Sequence, residues 1–330
     1  MDLVLDTATS LEFWRRQYPL NRVPRPLNER PSNNCAYNTE DVLGFCPNWI
    51  NEDLLNPTDG VLHVLAFDKA KIRHSKNVVT HAWSSPIPAG SFYQRSPHAY
   101  VESPEFMFLH AASILDLPEL IALGDELCGL YSFDARERRG FRKRELPLLR
   151  KSRLEQFLQQ ADGCKWRNKA LMALRHVVEL SASPMETFDE MTLCLPYRLG
   201  GYSMTKPTMN EEIVLTPKAA RIARRDKVYL DMGYSSYKLD FEHHGKYDHS
   251  TEEEVDSDRA RVNALREMGF EVIELTIDQV KDPVAYEYIV QRAAKILGKR
   301  LVKDKLGKTE ERMALRNALF SWNRRYGRIR

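Results

Sequence analysis

Apolar and polar positions change their rhythm several times along the chain. Residues 1–60 are punctuated by Pro19, Pro24, Pro26, Pro31 and Pro47 too often for long helices. Only the stretch around Leu11 to Tyr18 reads as helical, with Phe13 and Trp14 beside Arg15 and Arg16. Residues 61–67 and 78–83 are extended apolar runs separated by basic, turn-rich sequence, and they predict antiparallel strands of a small sheet. Ser103-Pro104-Glu105 opens a helix through Ala112, with a Ser cap, Pro at the first position and Glu at the positive end of the helix dipole. A second helix is predicted over 117–127, ending at Cys128-Gly129, and a third helical pattern over 154–180, broken at Gly163.

From Ser183 onward the order of elements is informative. Ser183-Pro184-Met185-Glu186 starts a helix to about Leu195, and Gly200-Gly201-Tyr202 with Pro207 marks a loop. Extended runs follow at 212–215, 228–232 and 238–244, then a helix over 252–268 that stops at Gly269. A strand over 270–277 and a helix from Pro283 to Leu297 complete the order. Adjacent strands with one helical crossover imply a mixed sheet with helices packed on its faces, so the expected class is α/β of the mixed α+β kind.

With 330 residues the chain has room for two domains, and 43% hydrophobic with 29% charged residues excludes a largely disordered one. The net charge of +3 says little about partners. No window reaches the ~18 apolar residues of a spanning helix, and the acidic start Met1-Asp2-Leu3-Val4-Leu5-Asp6 is unlike a signal peptide. Cys35, Cys46, Cys128, Cys164 and Cys194 lack zinc-ribbon or redox spacing, which predicts reduced thiols and a cytoplasmic location. Residues 134–153 form the most basic internal segment, from Arg136 through Lys143 to Arg153. The expected organisation is an N-terminal α+β region (1–133), a basic segment and helical linker (134–182), a second α/β domain (183–300) and a basic C-terminal helix (301–330).

Chemistry concentrates on the run Lys238-Leu239-Asp240-Phe241-Glu242-His243-His244. Strand alternation puts Lys238, Asp240, Glu242 and His244 on one face and Leu239 and Phe241 on the other. A solvated amphipathic strand is one reading. The other is a cation site, because carboxylates brought together by strand geometry repel each other without a positive partner. Asp231, just before Gly233 on the neighbouring strand, reaches the same place, and its spacing to Glu242 and His244 matches the carboxylate pair of a metal-dependent nuclease. Hard oxygen ligands suit Mg²⁺ or Mn²⁺. Asp240 either joins this face or pairs with a basic neighbour.

The segment 228–277 resembles the PD-(D/E)XK endonuclease superfamily, in its very-short-patch-repair (Vsr-like) branch. The matching pieces are Asp231, then Glu242-His243-His244-Gly245 and His249, the acidic Arg-bearing helix Asp256-Ser257-Asp258-Arg259-Ala260-Arg261, and Gly269-Phe270-Glu271-Val272-Ile273. The resemblance implies a restriction-endonuclease-like mixed sheet over 183–300. It implies Asp231 and Glu242 as metal ligands, the His243 backbone carbonyl as a further ligand, and Glu186 in a supporting role. For Glu186 the residue pattern alone also allows a first-turn Glu that favours the helix dipole. The superfamily's Lys, or the Asp common in this branch, is His244 here, an imidazole able to take a proton from water near neutral pH.

The N-terminal half resembles, more loosely, the antitoxin-like region of AbiEi-like abortive-infection proteins, through residues 61–67, 78–83 and Ser103-Pro104-Glu105 to Tyr131. This implies a regulatory or DNA-positioning role and a protein partner. Basic clusters flank the carboxylates: Lys218, Arg221, Arg224, Arg225 and Lys227 before the strand, and Arg324, Arg325, Arg328 and Arg330 near Trp322 and Tyr326. With Lys238 and Lys246 they are candidates for holding nucleic-acid phosphates, Trp322 and Tyr326 offering stacking surfaces. Two functions are expected: a Mg²⁺-dependent (or Mn²⁺-dependent) endonuclease acting on DNA, with RNA as the other possible substrate, or a degenerate nuclease fold acting as a DNA-binding regulator.

Overall fold

A computed structural model describes residues 2–16, 27, 31, 61–72, 74–75, 77–244, 252–301 and 308–327. The described chain is mixed α and β, with eleven helices and three sheets. The larger sheet has six strands in the order β3-β4-β2-β1-β6-β5, namely β1 (Leu3–Leu5), β2 (Leu62–Ala66), β3 (His74–Ser75), β4 (Val78–Ala82), β5 (Phe92–Ser96) and β6 (Ala99–Glu102). Its central strands β1, β2 and β6 are buried on both faces. The two runs expected to pair antiparallel, β2 and β4, lie parallel instead. The short strand β3 reverses the chain first and pairs antiparallel with β4, which restores the direction of β2. β1 has no signature in the pattern: three apolar residues between Asp2 and Asp6 are too few to show an alternation.

Helix α1 (Thr7–Arg16) follows β1. Helix α2 (Pro104–Ala111) has Ser103 as its cap, the hydroxyl accepting from the Phe106 N–H at 3.1 Å, and α3 (Leu117–Cys128) carries a reciprocal cap between Asp116 and Glu119. The basic segment is woven into the core. It supplies β8 (Phe141–Lys143), which pairs with β7 (Tyr131–Phe133) just before it, and leads into α4 (Lys151–Gln160) and α5 (Arg167–Leu174). The helical pattern stops short of Leu180, whose φ of 70° is left-handed. One continuous apolar cluster runs from Leu3 to Trp322 and crosses the positions 133/134, 182/183 and 300/301. Inside it, Arg15 binds both carboxylate oxygens of Glu126 at 2.7–2.8 Å and lies over the rings of Tyr326 (4.3 Å) and Phe133 (5.2 Å).

The second sheet has the order β12-β11-β10-β9. Helix α6 (Pro184–Cys194), entirely buried, precedes β9 (Thr208–Val214), which starts earlier than the alternation suggests. Helix α7 (Pro217–Ala223), capped by Thr216, occupies the basic stretch that precedes β10. Then come β10 (Lys227–Tyr234), β11 (Leu239–His244), α8 (Glu252–Glu267) and β12 (Glu271–Thr276). β10 pairs antiparallel with β9 and β11, and β12 pairs parallel with β11 after the α8 crossover. Helices α9 (Ile277–Lys281) and α10 (Pro283–Ile296) follow. The last helix, α11 (Lys308–Gly327), packs on α3 and α6. Its Trp322 is 1% exposed and meets Tyr326 edge to face, so the Trp322 ring does not form the nucleic-acid stacking surface expected of this helix. No described helix is long and apolar enough to cross a membrane.

Candidate active site

The β10–β11 hairpin turns through Ser235–Tyr237 and a left-handed Lys238 (φ 52°). Its register pairs Met232 with Phe241 and Gly233 with Asp240; one step further sets Asp231 opposite Glu242. Cross-strand partners share a face, and the two carboxyls come within hydrogen-bonding reach. The chain is locally irregular here. A Cβ on Gly233 would lie 2.6 Å from a Glu211 carboxylate oxygen and 2.8 Å from Leu230, so only glycine fits beside Asp231 without rearrangement. Across the sheet Asn210 takes a left-handed backbone, φ 50°.

The face carrying Asp240 and Glu242 is covered, not solvated. Asp240 is 0% and Glu242 1% exposed, and α8 reaches Glu242 through Arg261. Arg261 of α8 binds both oxygens of Glu242, Nη2 to Oε2 at 2.5 Å and Nη1 to Oε1. The same Nη1 donates to the Tyr229 carbonyl at 3.2 Å and stands 4.0 Å from Asp231 Oδ1. One oxygen of Asp240 accepts from the Met232 N–H at 3.2 Å; the other is buried without a hydrogen-bond partner. Burial, then Glu242 and Asp231, push Asp240 far above the usual carboxylate range. Asp231, at the rim with a side chain 29% exposed, is pushed up to about 7 by partial burial and then by Glu242, against Arg261 and Lys143.

Glu186 sits in the first turn of α6. Its Oε2 accepts from the Ala182 N–H at 2.7 Å, while its own N–H donates to the Ser183 cap at 3.2 Å. A capping role is therefore real. Burial and then Asp231 push its carboxyl up to about 8, so it also belongs to the electrostatic cluster. Lys143, at the end of β8, pulls both Glu186 and Asp231 down. The structure thus gathers four carboxyls, Glu186, Asp231, Asp240 and Glu242, against one guanidinium and one ammonium. Protons make up the deficit of positive charge at neutral pH.

Other expected residues fall elsewhere. The His243 imidazole is on the opposite face, its Nδ1 2.9 Å from Asp189 of α6, so it could reach the carboxylates only through its backbone carbonyl. Lys238 precedes β11 and lies over the Phe270 ring at 4.5 Å; it does not share the strand face of Glu242, because the turn consumes it. His244 ends β11 opposite Thr276, and its side chain, with Lys246 and His249, lies outside the described residues. Arg221, Arg224 and Arg225 are exposed at the end of α7, with Arg225 bonded to Ser257 of α8 at 2.5 Å. On α11, Arg324 is exposed, while Arg325 pairs with Glu119 at 3.2 Å. The sequence pattern does not place Arg261 or Lys143 at the carboxylates, although each stands in a segment marked by its basic residues.

A second group of ligand-type side chains has no signature in the sequence at all. In the six-stranded sheet Asp6, Glu102 and His110, and likewise Asp6, His63 and His81, are placed so that they could hold a metal ion. No family model matches the chain, and no curated protein or solved structure matches it.

Proposed function

We propose that the C-terminal half is a PD-(D/E)XK-type nuclease fold and that the protein is a Mg²⁺-dependent or Mn²⁺-dependent endonuclease acting on DNA. The observation that carries this reading is the carboxyl pair Asp231–Glu242, facing each other across β10 and β11 with Asp231 at the rim. The order α6, β9, α7, β10, β11, α8, β12, with β11 and β12 parallel, supports it. So does the chemistry of the donors, carboxylate and carbonyl oxygens. Asp231 and Glu242 would hold the ion with the His243 carbonyl, and Glu186 would support Asp231. When bound, the ion lowers the pKa of a water and offsets phosphate charge. Arg261 keeps Glu242 oriented, and His244, two residues further on the same strand, takes the proton of the attacking water. Arg221, Arg224 and Arg225 hold the DNA backbone, and the N-terminal sheet regulates access or binds a protein partner in the cytoplasm, in phage defence or DNA repair.

A second reading rests on Arg261. Its two-point grip on Glu242 satisfies that carboxylate without a metal, as a degenerate nuclease fold kept for DNA binding would. Incubating supercoiled plasmid with the protein across a Mg²⁺ and Mn²⁺ titration separates the two. Nicking or linearisation that needs the ion and stops with chelator supports the enzyme; binding without cleavage at any ion concentration supports the regulator.

A further inference from the structure

Four neighbouring strands of the N-terminal sheet deliver one row of ligand-type side chains. The registers Leu5↔Val64 and Leu5↔Val101 continue past β1 to set Asp6 beside His63 and Glu102. The Asp6 N–H donates to the His63 carbonyl at 3.1 Å, which fixes that alignment. His63 pairs with Val79, so His81, two residues on, projects from the same face. Helix α2 brings His110 over the row.

Within the row the polar atoms are unevenly satisfied. Glu102 accepts from Thr7 Oγ1 at 2.9 Å and lies 2.7 Å from His110 Nδ1. His63 Nδ1 lies 3.0 Å from His81 Nε2. Asp6, 1% exposed, has neither carboxylate oxygen in a hydrogen bond. Its Oδ2 is 3.6 Å from His81 Nε2 and its Oδ1 3.7 Å from His110 Nδ1. A buried carboxylate without hydrogen bonds is costly, and the two imidazole nitrogens beside it, which share one proton in a hydrogen bond, would both be free to ligate a cation once that proton is lost.

We propose that Asp6, His63 and His81 bind one divalent transition-metal ion of the zinc class. Their ligand atoms all lie within 4.8 Å of one another. The separations of 3.0 Å and 3.6 Å straddle the edge of roughly 3.3 Å expected between ligands in a tetrahedron with bonds of about 2.05 Å. Two nitrogens and a carboxylate favour zinc over magnesium, which takes oxygen. Three protein ligands leave a position for water or a small ligand. The His110–Glu102 pair stands behind Asp6 as outer support. The side chain of His81, 38% exposed, marks the way in. The ion would tie the ends of β1, β2 and β4 together. This site is separate from the carboxylates of β10 and β11 and stands whether or not that centre cleaves DNA.

The test loads chelator-treated full-length protein with Zn²⁺, removes the excess by gel filtration and measures metal per chain. Co²⁺ loading gives the coordination number from its visible absorption. About one tightly held Zn²⁺ is expected in the wild type and in Asp231→Asn, with a rise in thermal midpoint on loading. Asp6→Asn should lose it, and His81→Gln should weaken binding at least tenfold. His81 is partly exposed, so its variant decides the matter should Asp6→Asn fail to fold. Absence of bound Zn²⁺, retention at wild-type affinity in His81→Gln, or loss in Asp231→Asn would each overturn the proposal.

Discussion

Arg261 and Glu242 meet at two points beneath α8, the guanidinium bridging from Glu242 to within 4.0 Å of Asp231. This pairing explains how an acidic strand can be central rather than solvated. It also predicts an energetic exchange between arginine and cation. Arg261→Met leaves a 1%-exposed carboxylate without its partner and should cost about 3–5 kcal/mol in urea unfolding without divalent ions. Saturating Mg²⁺ should then raise the thermal midpoint of the variant more than that of the wild type. Equal shifts in the two proteins would separate Arg261 from the proposed cation site.

The carboxyl cluster gives stability a definite dependence on pH. Asp231 is pushed up to about 7 and Glu186 to about 8, against unfolded values of roughly 4. The folded state therefore binds protons more strongly than the unfolded one, and the stability these groups contribute is complete below about pH 4 and declines as pH rises through about 7–8. His110, held up at about 9 by Glu102 and Asp6 in spite of burial, adds a decline at higher pH. The difference between wild type and Asp231→Asn isolates the rim carboxyl: the variant's unfolding free energy should fall less between pH 5 and pH 8. Mg²⁺ at pH 8 should recover part of the wild-type loss and none of it in the variant.

Much of this site was legible in the sequence for physical reasons. Asp240 and Glu242 alternate with Leu239 and Phe241, and that period survives folding because β11 sits between two partners. The spacing of Asp231 to Gly233 likewise reflects a position where a Cβ would displace the Glu211 and Leu230 side chains. What stayed hidden depends on groups distant in sequence. Arg261 reads as one more charge on a polar helix until α8 is laid over β11. Trp322 reads as an exposed aromatic among arginines until α11 docks on α3 and α6. The row Asp6, His63, His81 exists only through strand order, and the parallel direction of β2 and β4 hangs on a two-residue strand.

The junction between the N-terminal helices and the C-terminal helix rests on Arg15 and Glu126, whose side chains are only 2% and 0% exposed. Burial alone would lower the Arg15 pKa; Glu126 and Glu12 reverse this and raise it above the ordinary arginine value. Glu126→Gln keeps the shape and removes the charge, so it should destabilise by about 3–5 kcal/mol. Arg15→Met should cost a similar amount by stranding Glu126. A loss under about 1 kcal/mol for both would mean that water reaches the pair.

DNA affinity should fall steeply between low and physiological salt, because bound lysines and arginines release counterions from phosphates. Replacing Arg221, Arg224 and Arg225 together with Gln should weaken binding and flatten the slope of log affinity against log salt by about one unit for each phosphate that the variant no longer neutralises. Arg325→Gln should leave the slope unchanged, since that side chain is engaged with Glu119. A slope unaffected by the triple variant would move the DNA surface away from α7.

Asp231 and Glu242 are proposed to act together through a cation. The most direct measurement is single-turnover cleavage of plasmid DNA in saturating Mg²⁺ by wild type and Asp231→Asn, with DNA affinity measured in Ca²⁺ for both. Metal-dependent cleavage by the wild type, lowered at least ~10²-fold in the variant with affinity kept within a few-fold, is the predicted result. Cleavage of equal rate in the two proteins, or none in the wild type, would contradict it.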